Sequence, residues 1–264
     1  MLKIGVFDSG LGGLTVVQAL TQVIKGAELF YIADTKNAPY GEKTTEQIFQ
    51  YSLDITQYFI DKHQIDALII ACNTATSAAI GTLREKYPEL IIIGTEPGIK
   101  PAIEQTHTGN IGVLATPATL KGDKYQQLAC MLSSQKDIKF FEQACPGLVE
   151  QIESGELKSP KTKKMLENWL VPMRENSVDT IVLGCTHYPL VCTLIEEVMQ
   201  CKLTLIHTGE AISKRLLFLL EEKGHINKGT LGIKLYATDT INYETVTTLL
   251  QSEEKMKQIN ISKS

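Results

Sequence analysis

Two cysteines stand at matching places in two similar segments of this chain. Cys72 follows the segment Ile65–Ala71, and Cys185 follows the segment Val178–Gly184. Each segment holds an acidic residue, a short apolar run and a small residue, and small polar residues follow each cysteine. Apolar runs of this length are typical of buried parallel strands. Residues just past such strands lie at the sheet edge where open α/β proteins bind ligands. The repeat therefore predicts two thiols that face one ligand from opposite sides.

Two thiols in this arrangement can supply both an acid and a base. We expect a helix to begin at each cysteine, because the helix dipole and free N–H groups then favour the thiolate. A thiolate can remove a proton from carbon, and a thiol on the opposite face can return one. This pairing is what inversion of a stereocentre requires. The other cysteines, Cys130, Cys145, Cys192 and Cys201, lack the pattern, and we expect them to be small buried apolar residues.

A second repeat supports two related halves. The segment Ile4–Ser9 resembles Ile111–Thr116, and these segments precede the two cysteine segments in the same order. Chance is the alternative, since Ile-Gly-Val before a turn is common in α/β proteins. We predict an α/β fold with two similar, pseudo-symmetric domains that have mostly parallel central sheets. The first domain is placed at residues 1–97 plus 211–264, and the second at residues 98–210.

Strand and helix signals alternate along the whole chain. Predicted strands cover residues 4–7, 28–33, 65–71, 90–94, 111–115, 139–144, 178–184 and 231–238. Predicted helices cover residues 14–23, 44–62, 74–86, 121–132, 161–174, 210–223 and 241–251. Alternation of this kind indicates a mostly parallel sheet covered by helices.

Composition restricts the function classes. The chain has 264 residues, 21% charged and 43% hydrophobic, with a net charge of −4. This balance argues against a nucleic-acid partner, and no apolar run is long enough to span a membrane. Six cysteines without a signal-peptide layout favour reduced thiols and a cytoplasmic location. With no CxxC motif and five scattered histidines, we expect no metal site.

Polar residues beside the two cysteines can support chemistry or cap local structure. Asp8 can orient or deprotonate a thiol or bind a substrate ammonium, although Asp is also a common turn residue. His187 can act as a partner of the Cys185 thiol, which it follows by two positions. Donors that can hold a carboxylate, or cap a helix, follow the cysteines: Asn73, Thr74 and Thr186. The glycines of segment 10–13 do not fit GxGxxG, so we predict no dinucleotide site.

Four motifs together resemble a known family. They are Phe7–Leu14 (FDSGLGGL), Pro39–Gly41 (PYG), Ala71–Ala75 (ACNTA) and Gly184–Leu190 (GCTHYPL). In this order they resemble the glutamate racemases, of the aspartate/glutamate racemase superfamily, from Ile4 to about Ala211. The resemblance implies interconversion of L- and D-glutamate without pyridoxal phosphate or another cofactor, with D-glutamate supplied to peptidoglycan. It also implies an active site in the cleft between two α/β domains.

The resemblance also implies roles for individual residues. Cys72 and Cys185 would be the acid/base thiols, with Asp8 assisting the first and His187 the second. An acidic residue in segment 149–153 is expected near the second thiol; Glu153 is favoured by its place before Ser154, and Glu150 remains open. Substrate-binding residues would be Asp8, Ser9, Pro39, Tyr40, Gly41, Asn73, Thr74, Thr116, Thr119, Thr186 and His187.

Three rival interpretations remain at this point. A relative in the same superfamily could act on aspartate, a hydantoin or maleate. A non-catalytic two-lobed binding module would need no matched thiols. A thiol redox protein would form a disulfide between Cys72 and Cys185. Glutamate is the expected small-molecule partner, and the sequence is also compatible with a homodimer.

Overall fold

The computed structural model describes residues 1–133 and 137–241, together with residues 246, 257, 258 and 261. The chain divides into a first unit, Met1–Thr95 with Gly209–Ser264, and a second unit, Glu96–Thr208. Both crossings between the units lie two residues before the boundaries placed from the sequence. All strand pairs among the described residues are parallel, which confirms the predicted α/β class.

The elements follow one another in regular alternation. The strands are β1 (Leu2–Asp8), β2 (Ala27–Ala33), β3 (Ala67–Ile70), β4 (Ile91–Gly94), β5 (Asn110–Ala115), β6 (Lys139–Ala144), β7 (Thr180–Gly184), β8 (Thr204–Ile206), β9 (Leu231–Ala237) and β10 (Lys257–Gln258). The α-helices are α1 (Leu14–Val23), α2 (Thr45–His63), α3 (Asn73–Lys86), α4 (Ile99–Gln105), α5 (Pro117–Lys121), α6 (Asp123–Ser133), α7 (Leu148–Glu153), α8 (Pro160–Glu175), α9 (Cys192–Met199) and α10 (Gly209–Glu222). Short 3-10 helices cover Tyr40–Glu42 and Tyr188–Val191.

The two sheets share one strand order. The first unit has the order β10-β9-β2-β1-β3-β4, and the second has β6-β5-β7-β8. The run β2-β1-β3-β4 therefore recurs as β6-β5-β7-β8. The repeat inferred from Ile4–Ser9 and Ile111–Thr116 corresponds to β1 and β5, the central strands of the two runs. In both units the carboxyl ends of these strands carry the polar residues that the sequence singled out.

Local sequence explains where the elements start and stop. Helix α2 begins with a capping box, in which the Thr44 hydroxyl accepts the Gln47 N–H and the Gln47 side chain accepts the Thr44 N–H. Its face of Ile48, Ile55 and Phe59 is buried in the core of the first unit. Burial of each such side chain contributes about 1.5–3 kcal/mol.

Some predicted elements differ from the structure. The helix expected over 121–132 is α6, and a short helix that the sequence did not predict, α5, precedes it. Gly122 adopts an extended conformation (φ −65°, ψ 130°) that ends α5 and separates the two helices. Cys130 and Cys201 are exposed, so the expectation that they are buried apolar residues was wrong. The helix predicted over 241–251 lies outside the described residues, apart from Ile241 and Val246. None of the described helices has the length and apolar character needed to cross a membrane.

Candidate functional site

The Cys72 thiol lies at the N-terminus of a helix, as its sequence context predicts. Strand β3 ends at Ile70, and Cys72 is the N-cap of α3, where its sulfur accepts the Ala75 N–H at 3.4 Å. The Ser9 hydroxyl oxygen lies 3.8 Å from the same sulfur. The side chain is only 6% exposed. Backbone N–H groups directed at the sulfur stabilise negative charge there, which suits a thiolate base.

Asp8 ends β1 and organises the glycine-rich turn that follows. One of its carboxylate oxygens accepts the N–H groups of Gly10 at 3.2 Å and Gly13 at 3.0 Å. A Cβ at Gly13 would lie 2.6 Å from the Asp8 Cβ and 2.8 Å from the Tyr31 hydroxyl, so only glycine fits. Asp8 is fully buried, in the same unit as Cys72. Its predicted assistance to that thiol remains a prediction.

Asn73 presents an unsatisfied donor beside the first thiol. Its side chain is 5% exposed, and its amide nitrogen has no hydrogen-bond partner among the described residues. A buried donor without an acceptor costs about 1–3 kcal/mol. An acceptor such as a substrate carboxylate would satisfy this group. Thr74 and Ser9 are buried in the same unit.

The Pro39–Gly41 motif forms the loop at the start of the 3-10 helix Tyr40–Glu42, of which Pro39 is the N-cap. The Tyr40 side chain is buried and belongs to the same hydrophobic core as Cys72. Its hydroxyl donates to an Asp34 carboxylate oxygen at 2.6 Å. Burial raises the pKa of Tyr40 well above its ordinary value, and the Asp34 carboxylate raises it further. The sequence-based interpretation missed Asp34, although it directly follows β2 and Asp8 ends the neighbouring strand β1.

The Cys185 thiol is supported by a histidine rather than by a helix. Its sulfur is 3.7 Å from His187 Nδ1, and His187 Nε2 is 2.5 Å from Glu153 Oε1. Burial by itself lowers the pKa of His187, but hydrogen bonds to Cys185 and Glu153 outweigh it and hold that pKa well above its ordinary value. This arrangement favours the protonated imidazole between the Glu153 carboxylate and the Cys185 sulfur. Of the two acids left open by the sequence, Glu153 makes this contact with His187.

No α-helix begins at Cys185, so that expectation was wrong. Tyr188 N donates to Cys185 O at 3.2 Å and Leu190 N to His187 O at 3.0 Å, both in the 3-10 pattern. Pro189 has no N–H and cannot make the α-helical bond to Cys185 O. Helix α9 begins only at Cys192.

The predicted threonines also lie at strand ends of the second unit. Thr116 follows β5 and caps α5, where its hydroxyl accepts the Thr119 N–H at 3.2 Å. The hydroxyl oxygens of Thr116 and Thr119 are 3.0 Å apart. Thr186 is buried directly after Cys185. The three hydroxyls lie at the carboxyl ends of neighbouring strands β5 and β7, where ligands bind in such sheets.

A third thiol lies near Cys185. Cys145 directly follows β6 and is buried in the same hydrophobic core as Cys185 and Tyr188. Burial raises the pKa of Cys145, and the charge of a nearby Cys185 thiolate raises it further. The Tyr188 hydroxyl is also buried in this core and has no conventional hydrogen-bond partner among the described residues. The Cys145 thiol and the Tyr188 hydroxyl are thus neutral groups on the side of Cys185 that faces the hydrophobic core.

The geometry gives each unit one thiol with its own means of stabilising charge. Across the described residues, no group of three or more His, Cys, Asp or Glu side chains forms a metal-ligand cluster. Each of the two thiols is of a type that can transfer protons, with an α3 N–H at the sulfur of Cys72 and the His187 imidazole beside the sulfur of Cys185.

Comparison with known proteins agrees with this arrangement. A sequence model of the Asp/Glu/Hydantoin racemase family matches residues 4–216. The chain is 66% identical to the glutamate racemase of Sulfurovum sp. (strain NBC37-1), over 100% of this chain and 99% of that protein. Escherichia coli glutamate racemase in complex with L-glutamate and the activator UDP-MurNAc-ala superposes with a TM-score of 0.84 at 27% identity, covering 98% of each chain. Glutamate racemase from Francisella tularensis subsp. tularensis SCHU S4 in complex with D-glutamate gives 0.82 at 27% identity, again over 98% of each chain.

The family match covers both thiols and every polar residue described above. The segments that carry the two strand-end cysteines are therefore part of the region shared with this family of racemases. This chain belongs to the Asp/Glu/Hydantoin racemase family.

Proposed function

We propose that this protein interconverts L- and D-glutamate by a two-base mechanism in which Cys72 and Cys185 exchange the roles of acid and base, without a cofactor. The observation that carries the proposal is the pair of buried thiols at equivalent strand ends, each beside groups that stabilise charge. Relatives that match this chain over nearly its whole length are glutamate racemases.

The mechanism moves one proton off carbon and another one on. A thiolate takes the Cα proton and becomes a thiol, and the electron pair stays on the substrate as a carbanion. The second thiol then delivers its proton to the opposite face of Cα and becomes a thiolate. The reverse reaction uses the same two groups in exchanged roles, so one arrangement serves both enantiomers.

The chain's own donors would stabilise the carbanion. The amide of Asn73, the hydroxyls of Ser9 and Thr186 and the N–H groups at the start of α3 are suited to substrate carboxylates. Each preorganised donor of this kind is often worth about 2.7–4 kcal/mol in the transition state. His187 and Glu153 would hold a proton beside Cys185, and Asp8 would assist on the Cys72 side.

The proposal extends to the setting of the enzyme. D-glutamate formed in this way supplies peptidoglycan synthesis. All six cysteines are free, which suits the reducing conditions of the cytoplasm. A homodimer is part of the proposal as well, and light scattering of the purified protein measures it directly.

Chiral chromatography of the purified protein with each glutamate enantiomer tests the function. We expect both enantiomers to reach an equal mixture without added pyridoxal phosphate, and we expect aspartate, a hydantoin and maleate to react far more slowly. Cys72→Ala and Cys185→Ala should each abolish racemisation, whereas the exposed Cys201→Ala should retain it. Near-normal racemisation by either of the first two variants would refute the two-thiol mechanism, and preference for another substrate would refute the assignment of glutamate.

A further inference from the structure

Asp34 is a buried carboxylate surrounded by neutral donors. It directly follows β2 and is 2% exposed. Its two oxygens accept hydrogen bonds from the Tyr40 hydroxyl at 2.6 Å, the Asn37 amide at 3.0 and 3.1 Å, and the Thr238 hydroxyl at 2.8 Å. Among the described residues, no Lys, Arg or His forms an ion pair with it. Buried charge is tolerated only where hydrogen bonds replace water, and here three side chains supply them.

These bonds tie the Pro39–Gly41 loop to a distant part of the chain. Thr238 follows β9, and its hydroxyl also accepts the Lys36 N–H at 3.0 Å. The Asp239 N–H donates to the Thr35 hydroxyl at 3.0 Å. Because β2 and β9 are neighbouring strands, the two segments leave the sheet side by side. Asp34 therefore links β2, the loop and the segment after β9.

Asp34 is also connected to the residues around Cys72, through its backbone N–H and through Tyr40. The Asp34 N–H donates to the Asp8 carbonyl at 2.9 Å. The Tyr40 ring belongs to the same hydrophobic core as Cys72, Phe7 and Ala75. The Tyr40 hydroxyl has one hydrogen, and it is directed to Asp34. The Tyr40 side chain thus serves as an anchor whose position depends on Asp34.

We propose that Asp34 is a positioning residue of the racemase, which holds Tyr40, Asn37 and Thr238 and thereby places the Pro39–Gly41 loop for substrate. This inference rests on the proposed function, because the loop is assigned to substrate by that function. Asp34 itself is enclosed by its donors and acts through the loop.

Asp34→Asn provides the first test, with Asp66→Asn as the matched control. The asparagine keeps the size of the side chain, but its NH2 group faces donors where a carboxylate oxygen accepted. Loss of loop placement should raise KM for both enantiomers by about 10- to 100-fold, with a smaller change in kcat. Asp66 is an exposed acid that accepts one backbone N–H, from Lys3, at the start of β3, and its variant should keep wild-type constants.

A double-mutant cycle separates positioning from general destabilisation. Asp34→Asn and Tyr40→Phe disrupt the same hydrogen bond. The change in KM of the double variant, expressed as a free energy, should therefore be clearly smaller than the sum of the changes in the two single variants. Thr238→Ser keeps the hydroxyl and should retain a near-normal KM, whereas Thr238→Val should raise it. This second pair tests the network even if Asp34→Asn does not fold.

The outcomes distinguish this inference from the proposed function. Failure of the wild-type protein to racemise glutamate would overturn the proposed function. An active wild type with an unchanged KM in folded Asp34→Asn, fully additive effects in the cycle, or equal KM values for Thr238→Ser and Thr238→Val would overturn the positioning role alone.

Discussion

The Cys72 and Cys185 halves share a strand order but support their thiols in different ways. In the first, the sulfur caps a helix and accepts the Ala75 N–H. In the second, no helix begins at the cysteine, and His187 with Glu153 lies beside the sulfur. The repeated topology thus fixes where a thiol stands, while neighbouring residues decide what stabilises its charge.

Equivalent strand ends extend this comparison. Asp8 ends β1, where its counterpart at the end of β5 is Ala115; both pair with the last residue of a neighbouring strand, Ala33 and Ala144. Asp34 follows β2, and its counterpart after β6 is Cys145. In each half the N–H of this residue donates to the carbonyl of the first, at 2.9 and 3.0 Å. The two halves thus share this backbone hydrogen bond, whereas the acids Asp8 and Asp34 of the first half correspond to the neutral residues Ala115 and Cys145 of the second.

Among changes to the groups that support the thiols, the largest expected effect comes from removing the imidazole of the second half. His187→Gln should lower kcat by about 10²- to 10⁴-fold, because it removes the imidazole whose Nδ1 lies 3.7 Å from the Cys185 sulfur and with it the proposed support of this acid/base thiol. His107→Gln, which changes an exposed histidine of the same unit, is the matched control and should leave kcat unchanged. Steady-state kinetics measures both. A His187→Gln enzyme with wild-type kcat would remove the proposed difference between the two halves.

The pH dependence sharpens the comparison further. Glu153→Gln removes a carboxylate that raises the pKa of His187, so that pKa should fall. The alkaline decline of kcat/KM should therefore move to lower pH, as a rate profile of wild type and variant would show. An unchanged profile would mean that the imidazolium does not support Cys185.

Stability should follow the same ionisation. The folded pKa of His187 is above its unfolded value near 6.5, so its charged form stabilises the folded state fully below that pH. This contribution is lost as pH rises through the raised pKa. The stability advantage of wild type over Glu153→Gln in urea unfolding should therefore be larger on the acidic side of this range than at alkaline pH. An advantage that grows with pH would contradict the sign.

The smallest expected effect concerns the glycine turn of the first half. Gly13→Ala would place a methyl group against Asp8 and Tyr31 and should lower the free energy of unfolding by about 1–3 kcal/mol. Gly81→Ala, at an exposed position of α3, meets nothing within 4 Å and should raise it by about 0.5–1 kcal/mol. Chemical denaturation measures both. A Gly13→Ala protein as stable as wild type would show that the turn adapts and that Asp8 is not rigidly held.

Local patterns in the sequence were sufficient for some features of the site. Apolar runs bounded by polar residues predicted β3 and β7, and hence the places of both thiols. This was possible because the burial of a strand and its ends depend on residues that are adjacent in the sequence. The N-cap position of Cys72 followed from the same pattern. The choice of Glu153 over Glu150 rested only on its place in the chain, and the contact with His187 depends on how α7 packs.

Other features depend on contacts between distant segments. Asp34 stands in a turn-like run, and its partner Thr238 is 204 positions away, so no local pattern reveals the network. The available signal was its place directly after β2, close to the position of Asp8 at the end of β1. The absence of an α-helix at Cys185 follows from Pro189, whose missing N–H is visible in the sequence.

Deuterium incorporation at Cα in heavy water tests the central claim most directly. Wild type should incorporate solvent deuterium into the enantiomer formed from either substrate. Cys72→Ala and Cys185→Ala should each exchange the Cα proton of one enantiomer only, without inversion, and the two variants should act on opposite enantiomers. Exchange of the same enantiomer by both variants, or of both enantiomers by either one, would contradict a mechanism in which each thiol serves one face of the carbon.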